Sequence, residues 1–324
     1  MSGGAMTGDV RPRPTSPRPT SSESVPTGSV LPGSGRPRPV RAHRGWRQRL
    51  RRAPLAVITA LLLIVEVYPL IWLLLGSLKT QDEFMNRPTW ALPLNWGNFS
   101  NYVTAWRAGI SRNLLNSVIA VFPSLAIIIV FGVAAGFALE VMVWKGRRTV
   151  LMLFLAGIMV PAQMIILPLF TIYFRLHLTG TMWPLIITYS ATGLPLTVFM
   201  MATYFRAIPR ELFEAATIDG ASLLRGFWSI AFPMMTNAIF TVGLVQFFFL
   251  WNDLLLAMTF TSGSGHDELS TVQVGLLAFQ GRFGTVQYGP TMAAICVNVL
   301  ITLVLYLFLN QRVMKGMAAG AVKG

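Results

Sequence analysis

Cysteine is nearly absent from this 324-residue sequence: Cys296 is the single example, and it lies inside an apolar run. Disulfides and cysteine metal sites are thereby excluded. The three histidines, His43, His177 and His266, are too scattered for a metal cluster. GxxxxGKS and GxxxxGKT occur nowhere, so the chain has no P-loop for ATP. HExxH, GxSxG and histidine–carboxylate groupings are missing too, which removes the signatures of a membrane-embedded enzyme. Charge is scarce: only 12% of residues are charged, about half the share of a soluble domain.

What is present is apolar. Hydrophobic residues make up 54% of the chain and mean hydropathy is +0.59, as in a polytopic membrane protein. The net charge of +14 invites a nucleic-acid reading, but its distribution argues against one. Eleven of the 26 basic residues lie in the first 52 positions, and most others flank apolar spans. Residues 1–52 also hold eight prolines and one aromatic, Trp46, a composition that predicts a disordered tail whose final cluster, Arg41 to Arg52, meets anionic lipid.

Six spans follow in a domain covering residues 53–324. They are expected at about Leu55–Gly76, Ser117–Glu140, Val150–Phe174, Met182–Tyr204, Ile230–Phe260 and Tyr288–Asn310, each long enough to cross a bilayer. The third carries Pro161 and Pro168, which should break it, and the chain closes in a short tail over 311–324. Glu66 sits inside the first span. An acid there costs about 2.5–3.5 kcal/mol, so it should face the bundle or a cavity. Gly132, Ala134, Ala135 and Gly136 suit close helix contact. The tail, the loop after the second span, residues 207–233 with their flanks, and the C-terminus carry 20 of the 26 basic residues, so both termini are expected in the cytoplasm.

The stretch around which the chain is organised is PRELFEAATIDGASLLRGFWSIAFPMM, Pro209 to Met235. Pro209 suits a first helical turn, and Glu211 and Glu214 sit near the positive end of the dipole. Leu212, Ala215, Ala216 and Ile218 form an apolar face. Asp219-Gly220 should stop this helix, and Ser222 can cap a second one leading to Pro233. A helix–turn–helix on a membrane face results.

Glu214-Ala215-Ala216, Asp219-Gly220-Ala221, Ile230 and Pro233 resemble, at matching spacing, the EAA motif of ABC-importer membrane subunits. SLKTQDEF, LPLNWGNFSNY, MVPAQMIILPLF, WNDLLLAMTF and the final NQRVMKGMAAGAVKG are similar to carbohydrate-type permeases, the last to the maltose-type subunit with the short external loop. The resemblance implies an all-α, six-helix type I importer permease in the plasma membrane, with the EAA loop as its coupling helix. It further implies a second homologous permease chain, giving a heterodimer, two cytoplasmic ATPases holding ATP and Mg, and an extracytoplasmic sugar-binding protein. No cofactor or nucleic acid is expected on this chain. A sugar or oligosaccharide is the implied solute; another small polar solute such as glycerol phosphate, or a secondary transporter, are the alternatives.

Trp251, Asn252 and Asp253 offer an aromatic face, an amide and a carboxylate, the chemistries that hold sugars, and Asn116 joins them as a candidate on the solute path. Successive helical residues cannot all face one pore, so a cluster serving helix packing or the external gate stays open beside this reading.

Overall fold

The structure is a computed structural model and describes residues 44–262, 267–281 and 286–321. Among these, all regular structure is helical. The order is α1 (Arg44–Ser77), α2 (Gln81–Asn86), α3 (Ser100–Ala105), α4 (Ser111–Glu140), α5 (Arg147–Ile158), α6 (Ala162–Arg175), α7 (Trp183–Arg206), α8 (Glu211–Ile218), α9 (Leu223–Gly226), α10 (Phe232–Trp251), α11 (Leu255–Ser262), α12 (Val272–Gly281) and α13 (Tyr288–Ala321). Five helical stretches are long and apolar enough to cross a membrane, and the pair α5–α6 supplies a sixth if counted as one span. The tail expected over 1–52 lies outside the described residues as far as position 43; from Arg44 the backbone is helical. At the other end α13 runs unbroken through the expected tail to Ala321.

The centre of the bundle is the pair α4 and α7. Along α4 the buried residues recur every three to four positions, from Ala120 and Ser124 through Ile128, Gly132 and Gly136 to Leu139. The two glycines are there for close approach. A Cβ on Gly132 would collide with the Thr197 side chain, and one on Gly136 would lie 2.7 Å from Met201 Cβ and 3.0 Å from the Ala202 amide nitrogen. Ala134 is exposed and does not take part.

Local chemistry moves several boundaries. Residues expected as a polar loop before the second span are helical from Ser100, joined to α4 through Trp106–Ile110, which is kinked at Gly109 (φ +111°). The third apolar run breaks at Pro161 alone, with α5 and α6 meeting at 95°. Pro161 lacks an N–H and drives Val160 away from helical geometry. Pro168 stays inside α6 without breaking it. The fifth run also splits, over residues 252–254, because its side chains take over backbone partners. Asn252 Nδ2 donates to the Phe248 carbonyl (2.9 Å), and the Asp253 carboxylate accepts the amide of Ala257 (2.9 Å) at the start of α11.

Glu66 does not face this chain's bundle. Among the described residues it is exposed, as is the apolar window of α1 around it. After α1 the SLKTQDEF segment folds a small platform. Thr80 and Glu83 form a capping box on α2, Glu83 Oε1 accepts the Leu94 amide (2.6 Å), and Asn101 donates to the carbonyls of Ser77 and Lys79 (2.8 Å each).

Candidate functional site

The helix–turn–helix expected at Pro209–Met235 forms, with shifted detail. α8 starts at Glu211, so Pro209 precedes the helix instead of occupying its first turn. The stop is a Schellman turn: the Gly220 amide donates to the Thr217 carbonyl (3.0 Å) and the Ala221 amide to the Ala216 carbonyl (2.8 Å). Gly220 has φ +77°, which only glycine takes without penalty, and nothing lies within 4 Å of where its Cβ would be. Ser222 caps α9, its hydroxyl accepting the Arg225 amide (3.3 Å). A π-helical turn at Phe227–Ala231, which contains Ile230, leads into α10, with Pro233 in its first turn.

The apolar face is rotated from its expected position. Phe213 and Ala216 turn inward, whereas Leu212, Ala215 and Ile218 are exposed. The reason is a residue that no local pattern marks. Phe137 of α4 gathers Phe205 of α7, Phe213 of α8 and Phe227 of the π turn, with ring centroids 5.7, 6.0 and 5.0 Å away. The opposite side is left open: Ile218 is 86% exposed, and Leu223, Leu224 and Trp228 join it. Glu214 and Asp219 are exposed along the same element.

The polar residues of the expected solute path separate into three environments. Trp251 is buried, its indole N–H donated to Asn298 Oδ1 (2.9 Å) and its ring stacked on Phe247. Asn252 caps α10. Asn116 is buried and donates to the carbonyls of Glu268 (2.7 Å) and Ser270 (3.0 Å), pinning the segment before α12 to α4. Only Asp253 of the four lines a cavity of about 400 Å³ between α5–α6, α7 and α10–α11. Its companions there are Tyr189, whose hydroxyl donates to Asp253 Oδ2 (2.9 Å), Thr192 and Gln246. Tyr189 and Gln246 carry no sequence signal beyond being polar groups in apolar runs.

A bundle of five apolar spans and one bent pair, with an exposed helix–turn–helix between its fourth and fifth segments, defines a transport subunit of the type I importer permease class. Residues 114–314 match the family described as binding-protein-dependent transport system inner membrane component, and the chain belongs to that family. It is 32% identical to the probable ABC transporter permease protein YurM of Bacillus subtilis over 268 residues, covering 83% of this chain and 87% of that one. It is also 32% identical to the diacetylchitobiose uptake system permease protein NgcG of Streptomyces coelicolor, covering 80% and 85%. Among solved structures, a bacterial ABC transporter involved in alginate import superposes with TM-score 0.67 at 20% identity, over 85% of this chain and 99% of that one. That likeness concerns the fold.

Proposed function

We propose that the chain is the permease subunit of an ATP-driven importer carrying a sugar or oligosaccharide handed over by an extracytoplasmic binding protein. The observation that carries this reading is the α8–α9 element, held inward by Phe213 and presenting an exposed apolar face around Ile218. Such a face suits a cleft on a cytoplasmic ATPase. The relative named for diacetylchitobiose uptake supports a carbohydrate solute. Both termini then lie in the cytoplasm of a plasma-membrane protein. The partners are a second permease chain, two ATPases that bind ATP and Mg, and the binding protein.

In this reading Glu214, Ala215, Ala216, Asp219, Gly220, Ala221, Ile230 and Pro233 make the coupling element. ATP-driven closure of the ATPases carries α8–α9 as a rigid body, and the spans rock between inward-open and outward-open states. Solute passes the cavity at Asp253 and Tyr189, while Trp251, Asn252 and Asn116 hold its surroundings in shape. The chain performs no covalent chemistry.

Gly220→Val tests the reading. A β-branched residue at φ +77° costs about 1–2 kcal/mol and tilts α8 against α9 without a clash. The variant is expected to insert normally yet lose uptake and binding-protein-stimulated ATP hydrolysis. Full uptake at normal expression would overturn the assignment. For orientation, Ser222→Cys in a Cys296→Ser background should react with impermeant thiol reagents only in opened cells.

A further inference from the structure

Beside the coupling element lies a second cavity that transport does not explain. It measures about 310 Å³ and is lined by Leu139, Glu140, Arg147, Arg148, Leu151, Arg206 and Arg210. Four guanidinium groups thus meet one carboxylate. Glu140 is already engaged, its two oxygens accepting from Arg206 Nε (3.0 Å) and Nη2 (3.1 Å). Arg147 is held by the carbonyls of Glu140 (3.3 Å) and Met142 (3.1 Å), so its charge is fixed in place without being neutralised. Among the described residues, Arg148 and Arg210 have no carboxylate within ion-pair reach.

The position of this cavity is as informative as its charge. Glu140 is the last residue of α4, Arg206 the last of α7 and Arg147 the first of α5, so the arginines form a cluster where three spanning segments leave the membrane. The lining is mostly charged, with Leu139 and Leu151 as its small apolar part. Nearby Trp144 donates its indole N–H to the Ala138 carbonyl (2.9 Å), and tryptophan at a span end suits the membrane–water interface. A guanidinium fork matches phosphate oxygens two at a time, and basic pockets between spans at a membrane face take lipid headgroups.

We infer that this cavity binds the phosphate of an anionic phospholipid, with Arg148 and Arg210 as the free donors and the Glu140–Arg206 pair and Arg147 as the fixed frame. The ligand chemistry is a phosphodiester on a headgroup that carries no compensating cation. Its place at the ends of spanning segments favours a lipid over dissolved phosphate. Arg210 is also the N-cap residue of α8, so an occupied site abuts the segment on which the coupling element turns. The inference holds whatever solute the chain carries.

The test uses the full chain with any subunits that co-purify, in neutral detergent, followed by native mass spectrometry. Samples are titrated separately with phosphatidylglycerol and phosphatidylcholine, then challenged with millimolar inorganic phosphate. Phosphatidylglycerol should be retained, phosphatidylcholine should not, and inorganic phosphate should fail to displace the lipid. Arg148→Gln with Arg210→Gln should weaken retention about 30-fold, as expected for two arginines at a charged membrane surface. Both side chains are exposed, so the double variant should fold. Arg112→Gln, at the distant Glu268 ion pair, should change nothing. Equal retention of phosphatidylcholine, an equal loss in Arg112→Gln, or unchanged retention in the double variant would overturn the inference. Displacement by inorganic phosphate would make this a free-phosphate site. Loss of an ATPase subunit from the double variant, with lipid retention intact, would assign the arginines to protein carboxylates instead.

Discussion

The Phe137 and Phe213 rings meet edge to face, 6.0 Å apart at 62°, and this contact fastens α8 to the second span. Because Phe137 also meets Phe205 and Phe227, one ring ties together both ends of the exposed element. Packed aromatics thus connect α8 to α4 and α7 directly, in addition to the backbone of the connecting loop.

Phe137→Ala should therefore loosen the element at its root. Removing a buried phenyl costs about 3–5 kcal/mol. Residues 211–218 should exchange amide hydrogen faster in mass-spectrometric measurements, with the protein still inserted in the membrane. Phe122→Ala, whose ring is half outside the bundle, should leave exchange there unchanged.

The Asp253 cavity yields a paired prediction. Asp253→Asn should alter solute affinity while assembly and basal ATP hydrolysis stay near wild type. Tyr189→Phe removes a hydrogen bond to an acidic acceptor, worth about 1.5–3 kcal/mol, and should move affinity the same way. Both are read by transport kinetics on the assembled complex. Loss of assembly with unchanged affinity in what remains would make the pair a packing device for α11.

Close packing of α4 on α7 makes Gly136 intolerant. Gly136→Val should destabilise the protein by about 1–3 kcal/mol, seen as a lower melting temperature in detergent, because Met201 and the Ala202 backbone cannot both retreat. Gly243→Ala is the contrast: its Cβ would sit 3.6 Å from the tip of Ile129 and should be nearly neutral.

The platform after α1 should be acid-sensitive through Glu83. Burial alone would raise its carboxyl, but the amides of Thr80 and Leu94, the Thr80 hydroxyl and the Arg87 charge outweigh burial and hold it below the ordinary 4.5. A depressed folded-state value means that the stabilisation is complete above pH 4.5 and lost as the pH falls below it. Lys79, buried beside it with its ammonium on the Thr89 carbonyl (2.9 Å), keeps its charge in that range and contributes no titration. Melting curves from neutral to acid pH should show this loss in the native chain. Glu83→Gln should be less stable at neutral pH, with a shallower decline on acidification.

Features that depend on neighbouring residues were readable from the chain. Six apolar runs, the helix stop at Gly220, the cap at Ser222 and the small-residue contact at Gly132 and Gly136 follow from hydropathy, backbone freedom and side-chain size. The break at 252–254 was written locally too, in Asn252 and Asp253, but their apolar surroundings masked it.

What only the tertiary structure decided joins residues far apart in sequence. Nothing near Phe137 announces that three other aromatics will converge on it, and this convergence turned the α8 face by bringing Phe213 inward. Nor could Asp253 be told from Trp251 and Asn116 as the cavity residue before α7 placed Tyr189 against it. Pro161 bends its span and Pro168 does not, although both lack the same N–H. A proline sets the local cost of a bend, but the same missing N–H at two positions does not say at which of them the helix yields.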